Sequence, residues 1–113
     1  MDIIDFKQLA PPDSTAPDPD KLISGDPRQQ ICNAYSDPDG RFHVGRWTSS
    51  PGTWRVRYTE IELCHILAGR IRLRDDSGVE KMFGAGDTFM INRGFSGSWE
   101  VLEACTKIYA IYE

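Results

Sequence analysis

The sequence predicts an all-β, single-domain barrel with an extended, irregular N-terminal arm. From about residue 41 onward, short runs alternate apolar and polar residues with period two, separated by glycine- and aspartate-rich turns. No ten-residue segment carries a helical repeat with caps. The length agrees: 113 residues, 40% hydrophobic and 27% charged, fill one core and leave little room for a second. Residues 1–40 are expected to form the arm, partly irregular or edge strand, and residues 41–113 the barrel.

In the arm, residues 10–20 (APPDSTAPDPD) hold four of the seven prolines and no large apolar side chain, so this stretch cannot join a central strand. It reads as a tail or a wrapping arm. Upstream, Ile3, Ile4, Phe6 and Leu9 suit an edge strand, a partner's surface or a frayed terminus alike. Between Gly25 and Gly40 turn formers dominate, including Asp26-Pro27 and Asp37-Pro38-Asp39-Gly40, so regular structure is expected to be sparse there.

The barrel segments follow in order. Trp54, Val56 and Tyr58 alternate with Arg55 and Arg57, and Ile71 and Leu73 with Arg70, Arg72 and Arg74. Both patterns describe half-buried strands with arginines on the wet face. Ile61 to Leu67 lies between them, closed by Ala68-Gly69. Asp75-Asp76-Ser77-Gly78 forms a hairpin turn before a strand near Val79 to Phe83. Gly84-Ala85-Gly86-Asp87 is a second turn. Thr88 to Ile91, Ser98 to Leu102 and Lys107 to Tyr112 complete the series.

Composition narrows the partners. A net charge of −4, from 17 acidic and 13 basic residues, opposes attraction to polyphosphates or anionic lipid, so neither nucleic acid nor a membrane is expected to bind. Three cysteines, Cys32, Cys64 and Cys105, are an odd count without paired spacing, which suggests neither a disulfide framework nor a zinc ribbon. The opening residues lack the features of a secretory signal, and nowhere do eighteen apolar residues run together. A cytoplasmic location is the expectation.

The segment GTWRVRYTEIELCHILAGRIRL, followed by GAGDTFMINRGFSGSWEVLE, resembles the two motifs of the cupin superfamily. The ending W-E-V-L-E-x-x-x-K-x-Y is similar to that of small single-domain cupins related to ureidoglycine aminohydrolase. The resemblance covers roughly Trp47 to Tyr112 and implies a jelly-roll barrel that forms a homodimer. Cupin metal sites generally use three histidines and one carboxylate, a set suited to manganese, iron, nickel or zinc. With Gly52 opening and Gly69 closing the first motif, Glu62 takes the carboxylate position and Val56 and Tyr58 the two histidine positions. In the second motif Gly86, Asn92, Gly94, Gly97 and Val101 stand at the conserved places, so the third histidine is Gly97. No metal cofactor is expected; were a divalent transition metal to bind, Glu62 would be its ligand. The aminohydrolase activity depends on a metal whose ligands do not carry over.

Glu62 is the candidate catalytic residue. If the strand is regular, Glu60 and Glu62 face one interior, an arrangement suited to general acid or base work; alternatively Glu60 lies in the bend before the strand, exposed at the barrel mouth. A buried Glu62 without a metal needs a cation or several donors, and Lys107, Arg57 and Tyr58 are available. A Glu62 to Lys107 pair would hold a small polar ligand or serve as a structural ion pair. Cys64 shares the face of Glu62 as a nucleophile, a soft ligand or a small core residue, whereas His65 faces the other way and His43 is distant in sequence. Trp54 and Trp99, with Trp47, Tyr58 and Phe95, line either a pocket for a flat ligand or the core.

Three readings follow. The chain is a metal-independent, small-molecule-binding cupin domain using Trp54, Tyr58, Glu60, Glu62, Cys64, Trp99 and Lys107; or an aminohydrolase-like or isomerase-like enzyme using Glu62, or a non-standard metal site; or a structural or regulatory dimerisation module.

Overall fold

The computed structural model describes residues 2–113. Nine strands form one antiparallel sheet that curls on itself. They are β1 (Asp13–Thr15), β2 (Leu22–Gly25), β3 (Gln29–Ser36), β4 (Phe42–Ser49), β5 (Gly52–Arg57), β6 (Ile61–Asp75), β7 (Glu80–Gly84), β8 (Thr88–Ile91) and β9 (Ser96–Tyr112). A single helical turn of the 3-10 type, Phe6–Gln8, precedes them, with its Lys7 amide capped by the Asp5 carboxylate.

Two long strands make the curl. β6 and β9 pair along nearly their whole lengths and belong to both halves of the sheet. In one half the order is β7, β6, β9, β5, β2; in the other it is β8, β6, β9, β4, β3, β1. This is the jelly-roll architecture, and the all-β barrel expected from the alternation is what forms. The segments Ile61 to Leu67 and Arg70 to Arg74 turn out to be one strand, as do Ser98 to Leu102 and Lys107 to Tyr112. Ala68-Gly69 is a bulge in the ladder, where the register shifts three times between Ile66 and Ile71.

That bulge decides which side chains enter the core. Glu62, Cys64 and Ile66 face inward before it, and Ile71 and Leu73 after it, so inward parity switches from even to odd residues. Gly69 has φ +90°, and a Cβ there would run into the Ala104 carbonyl oxygen, so glycine alone fits the corner. β9 keeps its parity, with Trp99, Val101, Cys105, Lys107 and Tyr109 all buried. The core is built from Ile66, Ile71, Leu73, Ile91, Trp99 and Val101, with Phe83 and Phe89 packed against it.

The arm is more regular than its proline content suggests. β1 adds to the outer edge of β3, and β2 to the edge of β5. β3 is an eight-residue strand paired to β4, with one irregularity between Asn33 and Tyr35. Most of its side chains are half-buried or exposed, which is why it lacks a strong alternating signal. Residues 16–21, containing Pro17 and Pro19, therefore connect the β3 edge of one half to the β5 edge of the other. The arm wraps its own barrel, and the Arg46 guanidinium anchors it by donating to the Phe6 carbonyl at 3.0 Å. The wet-face arginines behave as their spacing predicts: Arg72 reaches Glu80 and Glu100, and Arg74 reaches Glu80.

Candidate functional site

Between the β3 and β5 edges the curled sheet forms an open cavity of about 250 Å³. β5 contributes Trp54 and Val56, with Tyr58 just beyond its end. The following bend and β6 contribute Glu60 and Glu62, β9 contributes Trp99 and Lys107, and β4 contributes Trp47. Six of the seven residues singled out from the sequence thus face one space. The seventh, Cys64, is fully buried beneath it, with its Sγ 3.9 Å from the Lys107 ammonium.

Glu62 is the hub. Its Oε1 accepts from the Tyr58 hydroxyl at 2.7 Å and its Oε2 from Lys107 Nζ at 2.9 Å. The lysine ammonium also lies 4.2 Å from the ring centre of Trp99 and 4.6 Å from that of Trp47. A buried ammonium needs this company: the carboxylate supplies opposite charge, and the two indole faces supply cation–π attraction. Burial is the largest single influence and works against the Lys107 charge, but the Glu62 carboxylate, with smaller help from Cys64 and Cys105, holds its pKa above the ordinary lysine value. Burial, and then the Glu62 charge, push the Tyr58 phenol well above its ordinary value. Burial likewise pushes the Cys64 thiol up to about 12. A thiol so raised is protonated at neutral pH and is not a ready nucleophile.

Glu60 lies in the bend ahead of β6, half-buried, and its carboxylate accepts from the Thr59 hydroxyl at 3.0 Å. His65 donates to or accepts from the Thr88 hydroxyl at 2.8 Å and is not among the cavity residues. His43 stands at the far end of a hydrogen-bonded series. The Tyr109 hydroxyl donates to Asn33 Oδ1, the Asn33 amide donates to the Ser36 hydroxyl, and Ser36 meets His43 Nδ1. Gln29, Tyr109 and Ile111 line the cavity without having been singled out from the sequence. Continuing the odd parity of β9 from Lys107 finds Tyr109 and Ile111; nothing in the turn-rich stretch around Gln29 marks that residue.

The cupin metal set does not fit these residues. Among the described residues no group of three or more His, Cys, Asp and Glu side chains converges on one point. The cupin resemblance sets Val56 and Tyr58 at two of the histidine positions and Gly97 at the third. The third is closed to any side chain, because a Cβ on Gly97 would collide with the Arg74 carbonyl oxygen. The positive charge beside Glu62 is the ammonium of Lys107.

The curled jelly roll, with its inward carboxylate at Glu62, defines a cupin. The family model described as the EutQ-like cupin domain matches residues 36–109, and the chain belongs to that family. A search of curated proteins finds no match. Among solved structures, a protein of unknown function of the DUF861 family from Pseudomonas syringae pv. tomato superposes with a TM-score of 0.83 at 27% identity, over 96% of this chain and 46% of its own. This chain therefore spans about half the length of that relative. The ethanolamine utilization protein Q of Salmonella typhimurium gives 0.69 at 15% identity over 93% of this chain and 97% of its own. The EutQ protein of Clostridium difficile gives 0.68 at 16% over 76% and 63%. Likeness to these last two is one of fold.

Proposed function

We propose that the domain binds a small molecule in the cavity between β3 and β5 without a metal, using the Glu62, Lys107 and Tyr58 network as its polar floor. The observation that carries this reading is the Lys107 ammonium, 2.9 Å from Glu62 and set between Trp47 and Trp99 at the cavity wall. The ion pair neutralises itself and fixes the floor. Recognition is then left to the groups around it: the Glu60 carboxylate, the Gln29 amide and the flat faces of the tryptophans. A small ligand with a planar or apolar body and one or two polar groups suits such a wall.

A second reading, an aminohydrolase-like or isomerase-like enzyme, uses the same cavity with Glu62 as acid or base. Its support is the Tyr58 to Glu62 hydrogen bond at 2.7 Å, a ready path for one proton. Against it, both Glu62 oxygens are already engaged, and the metal on which ureidoglycine aminohydrolase chemistry depends has no ligand set here. The proposal extends to a homodimer acting in the cytoplasm, with no nucleic acid or membrane partner. Three free cysteines and the net charge of −4 support the last two of these.

The test is an NMR screen of small polar and aromatic compounds against the full chain, following the three indole N–H signals. Compounds that shift these signals saturably in the wild type, and no longer do so in Gln29→Leu or Tyr58→Phe, support the binding reading. Turnover of a bound compound that Glu62→Gln abolishes would favour the enzyme reading instead.

A further inference from the structure

The flank of the barrel opposite this cavity is also open. β7 and β8 each pair with β6, at different ends, and not with one another, so the sheet parts between them. The parting forms a groove of about 580 Å³. Its floor is Leu73, Phe83, Phe89, Ile91 and Phe95, with Phe83 and Phe89 stacked at 4.0 Å between ring centres.

The rim carries opposite character to the floor. On β7, Lys81 shares the inward parity of Phe83 and lines the groove; just past β8, Arg93 does the same. Neither forms an ion pair among the described residues, whereas the outward Glu80 of the same strand faces Arg72 and Arg74. The one carboxylate lining the groove, Asp75, is turned into its own hairpin: its Oδ1 accepts from the Ser77 amide and hydroxyl and from the Val79 amide. Two cations without an ion pair, against one carboxylate bonded into its own turn, therefore border an aromatic slot.

We infer that this groove is a second ligand site, taking a monocarboxylate with an aryl or medium-length alkyl body. The body would lie against the stacked Phe83 and Phe89 pair, and the carboxylate would meet Lys81 and Arg93, the latter already held over the Tyr112 ring at 5.5 Å. Apolar burial supplies affinity and the two cations supply the preference for an anion. The site shares no lining residue with the cavity that Lys107 and Glu62 occupy, although Phe95 packs on Tyr58 and Phe89 on Trp99 between the two, and it does not depend on that cavity's proposed function.

The probe is 4-phenylbutyrate, titrated into the full chain by NMR beside its neutral amide and its amine analogue. Saturable shifts centred on Phe83, Phe89 and Val79 are expected, with the amide bound about tenfold more weakly and the amine weaker still. Both rim cations are exposed, so Lys81→Met with Arg93→Met should leave the thermal unfolding curve in place and equalise carboxylate and amide. Equal affinity of carboxylate and amide for the wild-type protein, or no saturable shift, overturns the inference. So does a concentration-dependent self-association that protects Val79 and Met90, which would make the groove a contact between two copies. If the double variant does not fold, the wild-type ratio of carboxylate to amide still decides.

Discussion

Lys107 Nζ lies 2.9 Å from Glu62 Oε2, where the two side chains keep only 7% and 6% of their surface exposed. A pair this buried gains Coulomb energy and loses most of its hydration, so its net contribution is small, while separating the partners is costly.

Removing one partner is therefore expected to hurt more than removing both. Lys107→Met leaves the Glu62 charge unmatched and should cost about 3–5 kcal/mol. Glu62→Gln joined to Lys107→Met should restore part of that loss. Urea unfolding of the two single variants and the double variant reads this directly. A double variant as unstable as the sum of the singles would mean that the pair has no coupling.

The resemblance sets Gly97 where a cupin histidine would stand, and the Arg74 carbonyl fills the space a side chain needs there. Gly97→Ala should destabilise the fold by about 1–3 kcal/mol or more through overpacking. Installing histidines at positions 56, 58 and 97 should give a poorly folded protein, not a metal site. An unchanged unfolding midpoint for Gly97→Ala would contradict the geometry.

Stability should fall on the alkaline side. Burial lifts Cys64 to about 12 and Cys105 to about 11 from an ordinary 9.0, and Tyr58 and Lys107 are raised as well. A raised pKa means that the fold holds protons the unfolded chain releases. The stabilisation is whole below the ordinary thiol value and is lost as pH climbs from there toward the folded values. Urea midpoints should be level from neutrality to about pH 9 and drop steadily above it.

The three thiols should also separate by reactivity. Cys64 and Cys105 are buried and Cys32 is partly exposed, so a thiol reagent at mildly alkaline pH should label Cys32 first, and the other two only in denaturant. Mass spectrometry of the labelled native protein counts them. Rapid labelling of Cys64 would show that the floor of the cavity opens.

Much of the site was legible because β-strand parity is a rigid rule. Placing Glu62 inward also places Cys64 inward, and an inward Glu62 without histidines demands a cation such as Lys107. The corner at Ala68-Gly69 was not legible as a bulge, since a bulge and a turn draw on the same residues. Gln29 escaped because its role comes from the edge it sits on, opposite β5, and such placement leaves no mark in local sequence. The arm was expected only as partly irregular or edge strand, and the exact bounds of its strands escaped for a related reason. β1 and β2 are exposed throughout and are held by backbone pairing, to which side-chain patterning is blind.

The most direct test of a cupin site that works without metal is tryptophan fluorescence. All three tryptophans of the chain line the one cavity, so a ligand bound there changes their emission directly, whereas one in the groove reaches only Trp99, through Phe89. In chelator-treated protein the ligand should change the emission saturably, and Gln29→Leu should abolish the change. A response that disappears with chelator and returns on adding manganese, nickel or zinc would contradict the account.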